Sequence, residues 1–214
     1  MLSRAAALLF ILLALAGPLR WPLRAQPGSP APLALAAGPG AGAFPLVRQH
    51  QAAPLYLDDA HDAAVVRLAA EALAQDVAAI TGVAPALRPA TAPLADYAVV
   101  VGTLGYSALI DQLAAAGQLD AAAIKGQWES FSISVVDRPL GRAGQALVVA
   151  GSDRRGTAYG VFELARRLGV SPWVWWADAA PRPQAELYLA AGRYVAPPPS
   201  VKYRGIFLND EDWG

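Results

Sequence analysis

Along the middle of the chain the apolar positions alternate between two kinds of spacing. Val66, Ala69, Leu73, Val77 and Ile80 recur at intervals of three and four. That spacing predicts a helix from His61 to Ile80 with one apolar stripe. Asp58, Asp59 and Asp62 stand where its N-cap is expected, and Thr81-Gly82 reads as its stop. A second helix is expected from Tyr106 to Ala116, with Leu109, Ile110 and Leu113 on one side and Gly117 at its end. A third is expected from Thr157 to Leu168, closed by Gly169. Between these lie unbroken apolar runs: Ala53 to Leu57, Tyr97 to Gly102 and Ala146 to Ala150. Continuous runs of this kind suit strands covered on both faces. Glu129 to Val136 alternates instead, with Phe131, Ile133 and Val135 to one side and Ser130, Ser132 and Ser134 to the other.

Strands and helices in alternation predict an α/β domain, a sheet with covering helices, over residues 44–196. Pro197-Pro198-Pro199 makes a stiff boundary after it. Beyond it Ile206, Phe207 and Leu208 form a short apolar run that leads into Asn209-Asp210-Glu211-Asp212. In a (β/α)₈ barrel, a strand ending in carboxylates carries catalytic groups at that end. Residues 197–214 are therefore expected to open a barrel whose remainder this chain does not contain.

The N-terminus has a different pattern. Arg4 precedes an uncharged run from Ala5 to Ala16, short of the about 20 residues that a membrane span needs. Residues 1–25 read as a secretory signal peptide, with Ala14-Leu15-Ala16 as one cleavage pattern and Ala34-Leu35-Ala36 as a weaker one. The expected location is secreted or periplasmic, with no membrane attachment after cleavage. Residues 26–43, rich in Pro, Gly and Ala, read as a flexible linker.

Composition narrows the chemistry. With 17 basic and 17 acidic residues the net charge is zero, which argues against a nucleic-acid footprint. There is no cysteine, so disulfides, thiolate metal sites and cysteine nucleophiles are excluded. The two histidines, His50 and His61, are too few for most zinc sites and are expected at the surface or near a helix start. No metal site is expected. The turn Gly151-Ser152-Asp153-Arg154-Arg155-Gly156 lies between a strand and a helix, where phosphate can bind. It lacks both phosphate-loop spacings, and a helix cap at Ser152 or Asp153 accounts for it more simply. Trp173, Trp175 and Trp176 form either a sugar-stacking platform or an apolar seam against a further domain. The seam is the preferred reading. Asp210 and Asp212 would share one face of a strand, with Glu211 opposite. Glycosidases flank the scissile bond with two carboxyl groups, about 6.5–9.5 Å apart for inversion. This segment offers one of such a pair.

Three stretches, Gly151 to Gly160, Gly169 to Asp178 and Pro198 to Gly214, resemble glycoside hydrolase family 115, the xylan α-1,2-glucuronidases. The resemblance implies a leading α/β domain similar to the non-catalytic domain of β-hexosaminidases, then a (β/α)₈ barrel, then C-terminal domains that often support a homodimer. It implies inverting hydrolysis of α-1,2-linked glucuronic acid, or its 4-O-methyl ether, from glucuronoxylan, without a cofactor. It places Asp210 as a catalytic carboxylate and Asn209 as a polar contact, with Glu211 beside them in the substrate pocket. Family members carry Ser-Glu where this chain has Ala165-Arg166. Arg166 is accordingly a candidate partner for the substrate carboxylate, against a plainer reading as a solvated residue beside Arg167. By itself this stretch of chain is expected to be inactive, with a free-standing carbohydrate-binding module as the alternative.

Overall fold

A computed structural model describes residues 33–40, 42–142 and 144–205, with only the backbone of Trp175 and Trp176. Strands β1 (Leu35–Ala36), β2 (Phe44–Arg48), β3 (Gln51–Ala52) and β9 (Leu187–Leu189) form a small antiparallel sheet in the order β1-β9-β2-β3. Strands β4 (Leu55–Leu57), β5 (Leu87–Pro89), β6 (Tyr97–Thr103), β7 (Phe131–Asp137), β8 (Gln145–Gly151) and β10 (Arg193–Ala196) form the main sheet, ordered β10-β7-β8-β6-β4-β5. From β8 to β5 neighbours run parallel, whereas β7 and β10 are antiparallel additions. The α/β class with a covered sheet is thus observed.

Two helices, α1 (Ala64–Thr81) and α3 (Arg154–Arg167), and the small sheet share one apolar core. Helix α2 (Ala108–Ala115) contributes to the other. Period-two geometry divides the central strands between them. Val99, Val101, Leu147 and Val149 point into the first core. Ala98, Val100, Ala146, Val148 and Ala150 point into the second. This is why β6 and β8 read as unbroken apolar runs.

Several boundaries differ from the sequence reading. The ordered fold begins before Phe44: Leu33 is buried and Leu35–Ala36 pairs with β9, inside the stretch read as linker and across the weaker cleavage pattern. The strand expected from Ala53 to Leu57 begins only at Leu55 and joins the main sheet, while Gln51–Ala52, just before it, turns back on β2 in a hairpin. The serine face of β7 is buried as well as its apolar face. β7 is an interior strand between β10 and β8, so alternation marks two covered faces and not a wet one. Ser132 Oγ and Ser134 Oγ have no hydrogen-bond partner among the described residues.

The aspartates before α1 do not cap it. Its N-cap is Ala63, which has no side-chain cap bond, and Gly82 ends the helix in the left-handed region as expected. Asp58 instead accepts from His61 and from the N–H of Ala108, the first residue of α2. Burial pushes the Asp58 carboxyl up, but those hydrogen bonds outweigh it and hold the group below its usual value. Asp62 bridges the N–H groups of Ala63 and Thr103 at 2.8 and 2.7 Å. Asp59 pairs with Arg67, which also reaches Glu71. Asp58 and Asp62 thus tie the loop after β4 to the segment at the end of β6 and beyond, whereas Asp59 bonds to the helix that follows it.

Helix α3 packs unusually close to the sheet. A Cβ on Gly151 would lie 2.2 Å from the Thr157 nitrogen, and one on Gly156 would lie 2.3 Å from the Ser130 carbonyl oxygen. In the space so left, Thr157 Oγ1 meets Thr103 Oγ1 at 2.7 Å. Both clashes are with backbone, which cannot swing aside. Gly156→Ala is therefore expected to cost about 1–3 kcal/mol. Gly38→Ala, where a Cβ meets nothing within 4 Å, is expected to stay within about 0.5 kcal/mol. Urea midpoints of the two variants check this.

Candidate functional site

The Gly151–Gly156 turn builds its own anion into the helix N-terminus. Asp153 is the N-cap of α3, and its Oδ1 accepts from Arg155 N–H at 3.0 Å and Gly156 N–H at 2.7 Å. Its Oδ2 accepts from Glu129 N–H at 2.8 Å. A phosphate would need those same donors. A cavity of about 320 Å³ lies near the carboxyl ends of β4, β6 and β8, lined by His61, Asp62, Ala63, Tyr106, Asp153 and Arg154. Asp62 and Arg154 line it together, and Asp153 already takes the helix N–H donors that a phosphate would use. The cap reading of the turn holds, and its glycines serve close helix–sheet packing.

The same turn holds the start of β7 by a second set of bonds. Ser152 Oγ accepts from Ser130 N–H and donates to Ser130 O, at 3.0 and 2.9 Å. Ser130 Oγ donates to Ala196 O at 2.5 Å, at the end of β10. Glu129 has a positive φ of 52° and a buried carboxylate. One of its oxygens meets Arg155 Nε at 3.0 Å, and the other meets Arg204 Nη2. Arg204 also donates to Val201 O at 2.5 Å and lies 5.7 Å from the ring centroids of both Trp128 and Tyr159. Residue spacing does not mark this pair: Glu129 and Arg204 are 75 positions apart, and Glu129 lies in none of the stretches singled out above, although Arg204 falls within Pro198 to Gly214.

An apolar groove of about 630 Å³ runs beside it, between α1, α3 and the segment leading to the short helix α4 (Val174–Ala177). Tyr159, Phe162, Val170, Pro172 and Val174 line it, with Asp76, Glu163 and Arg166 as its charged groups. Phe162 and Trp173 are exposed, at 53% and 63%. Val65 and Leu68 on α1 are exposed too, so the helix pair presents an apolar outer face. Trp173 is placed on that side of the fold by its chain neighbours Pro172 and Val174, whereas the side chains of Trp175 and Trp176 lie outside the description.

Arg166 forms a two-bond pair with Glu163, Nε to Oε2 at 2.7 Å and Nη2 to Oε1 at 2.8 Å. Arg167 does not share its solvated face. It turns inward, pairs with Glu163 at 2.8 Å, donates to Leu33 O and stacks 4.1 Å from the Tyr194 ring centroid. Asn209, Asp210 and Glu211 lie outside the described residues. Among the described residues there is no cluster of metal-ligating side chains, and no helix is long and apolar enough to cross a membrane.

The two groove carboxylates titrate in opposite directions. The Arg166 hydrogen bond holds Glu163 below its ordinary 4.5, against an upward push from burial. Burial raises Asp76 above its ordinary 3.8. A depressed folded value adds stability that is present above the unfolded value and lost as pH falls through the folded one. A raised value does the reverse, so its cost appears as pH rises through the raised value. Glu163→Gln is expected to lower the Tm at neutral pH, with the loss shrinking in acid. Asp76→Asn is expected to leave it unchanged or raise it at neutral pH, with any gain vanishing below 3.8. Thermal melts across pH check both.

No family model matches the chain, and no curated protein matches it. Solved structures do. The family GH115 4-O-methyl-α-glucuronidase BtGH115A, described as specific for decorated arabinogalactans, aligns at 37% identity with a TM-score of 0.62. The alignment covers 76% of this chain and 19% of that one, so this chain spans about a fifth of that relative's length. CpGH84D aligns at 8% identity and a TM-score of 0.44, over 76% of this chain and 22% of its own. The Streptomyces plicatus N-acetyl-β-hexosaminidase aligns at 14% identity and a TM-score of 0.40, over 80% of this chain and 25% of its own.

Proposed function

The chain is a relative of the family 115 glycoside hydrolases, and from that relation we propose that its α/β domain is the leading, non-catalytic domain of a longer secreted glycosidase. The enzyme removes α-1,2-linked glucuronic acid, or its 4-O-methyl ether, from glucuronoxylan or a related decorated polysaccharide. The 37% identity to a 4-O-methyl-α-glucuronidase carries this reading. The small share of that relative which the chain spans supports placing the reaction in a longer protein. Arg4 and the apolar run from Ala5 to Ala16 support export.

In this reading Asp210 acts as one carboxylate of the inverting pair. Asn209 and Glu211 contact the uronic acid beside it. A second carboxylate comes from a part of the enzyme that this chain does not contain. Inversion needs that partner across the scissile bond with room for a water, so Asp210 alone performs no turnover. Arg166 stands at the rim of the groove as a cation for the substrate's carboxylate, already oriented by Glu163.

The apolar outer face of α1 and α3 is the seam with the next domain. Exposed Phe162 and Trp173 support it, because a lone soluble domain gains nothing by leaving such rings in water. Trp175 and Trp176 extend the seam in this reading.

The purified 214-residue chain is expected to release no 4-O-methylglucuronic acid from glucuronoxylan. The full secreted protein is expected to release it, and Asp210→Asn to lower kcat by roughly 10²–10⁴-fold. Chromatography of the released sugar checks both. Turnover by the short chain, or full activity of the Asp210 variant, would refute the assignment.

A further inference from the structure

We propose that Glu129 is a positioning residue: through Arg204 it clamps the chain where it leaves the α/β domain and so fixes the point from which Asn209–Asp212 is delivered. The inference rests on reading that acidic segment as part of the active site.

The clamp is built from the domain side first. Glu129 is buried, with 6% of its side chain exposed, in a left-handed backbone conformation that a glutamate adopts only under constraint. Its N–H is held by Asp153, and the next residue is stitched to Ser152 and to the end of β10. Gly156 leaves the room for this loop to rest on the first turn of α3. The carboxylate is thus aimed before any partner arrives.

One oxygen of that carboxylate takes Arg155 and the other takes Arg204. Arg155 belongs to the domain's own helix and donates to Tyr159 Oη at 3.1 Å. Arg204 belongs to the departing strand of chain. It bridges the carboxylate, the Trp128 and Tyr159 rings and the carbonyl of Val201. Without Arg204, the segment after Pro197-Pro198-Pro199 has no other side-chain hydrogen bond or ion pair to the domain among the described residues. Four residues lie between Arg204 and Asn209, so five steps of chain, at most about 18 Å when extended, connect them. Holding the guanidinium therefore restricts where the acidic group can lie.

The chain has no cysteine, so labels can be placed without background. Nitroxides on Ala84→Cys, exposed near the far edge strand β5, and Gly205→Cys, whose Cβ meets nothing within 4 Å, report the position of the departing segment. A control pair on Ala84→Cys and Lys125→Cys reports the domain alone. Pulsed dipolar spectroscopy on the otherwise unchanged chain is expected to give a narrow distribution for both pairs. Glu129→Gln is expected to broaden the first pair at least twofold and leave the control as it was. Arg204→Gln, which leaves every contact within the domain in place, is expected to broaden the first pair equally. A broad distribution in the unchanged chain overturns the proposal. So does a narrow one in Arg204→Gln, whatever Glu129→Gln does to folding. The readout is independent of catalysis, so failure of the clamp and failure of the glycosidase reading are separate results.

Discussion

Helix α3 lies against the sheet at a distance that only missing side chains permit. Gly151 and Gly156 leave no Cβ where backbone crosses backbone, and Thr157 fills the contact with a hydroxyl pair. The features around the candidate site follow from that approach. Asp153 comes close enough to cap the helix and hold Glu129 N–H together. Ser152 reaches Ser130, and the Glu129 carboxylate is pressed under the first turn of the helix where Arg155 meets it. The other face of α3 is left outward beside α1, with Phe162 and Tyr159 in solvent. One tight packing contact thus sets both a polar clamp at the end of the domain and an apolar face along its side.

The central strands were legible because their burial is two-sided. Ala98–Val101 and Ala146–Ala150 are apolar at every register, as strands covered on both faces are. The helices were legible from their stripes, although α1 begins three residues later than its aspartates suggest. Those aspartates have the right residue type for a cap but are used across the fold, on Ala108 and Thr103. Local spacing cannot distinguish a cap for the helix that follows from a cap for one 50 positions away. The small sheet was missed for a related reason. β1, β3 and β9 are two or three residues long, and their pairing brings together the two ends of the domain.

The candidate site divides in the same way. Its motifs, the Gly151 turn and the Trp173 stretch, could be read from residue types. The Glu129–Arg204 pair could not, because its meaning exists only once β7 and the departing chain are side by side. Arg166 shows a further limit. Neighbouring arginines look alike in sequence, yet Arg167 turns inward over Tyr194 while Arg166 stays at the groove rim with Glu163. The proposed place of this domain in a family 115 enzyme would give these parts a common purpose: a covered α/β domain, an apolar side for a neighbour and an exit held at Arg204.

That purpose depends on the α1/α3 face being a seam inside a larger protein. Hydroxyl-radical footprinting of Phe162 and Trp173 tests it most directly, comparing the 214-residue chain with the longer protein proposed for it. The account predicts that both rings are oxidised readily in the short chain and at least tenfold more slowly in the longer one. Equal rates in the two would contradict it, and would leave this face free for some other use.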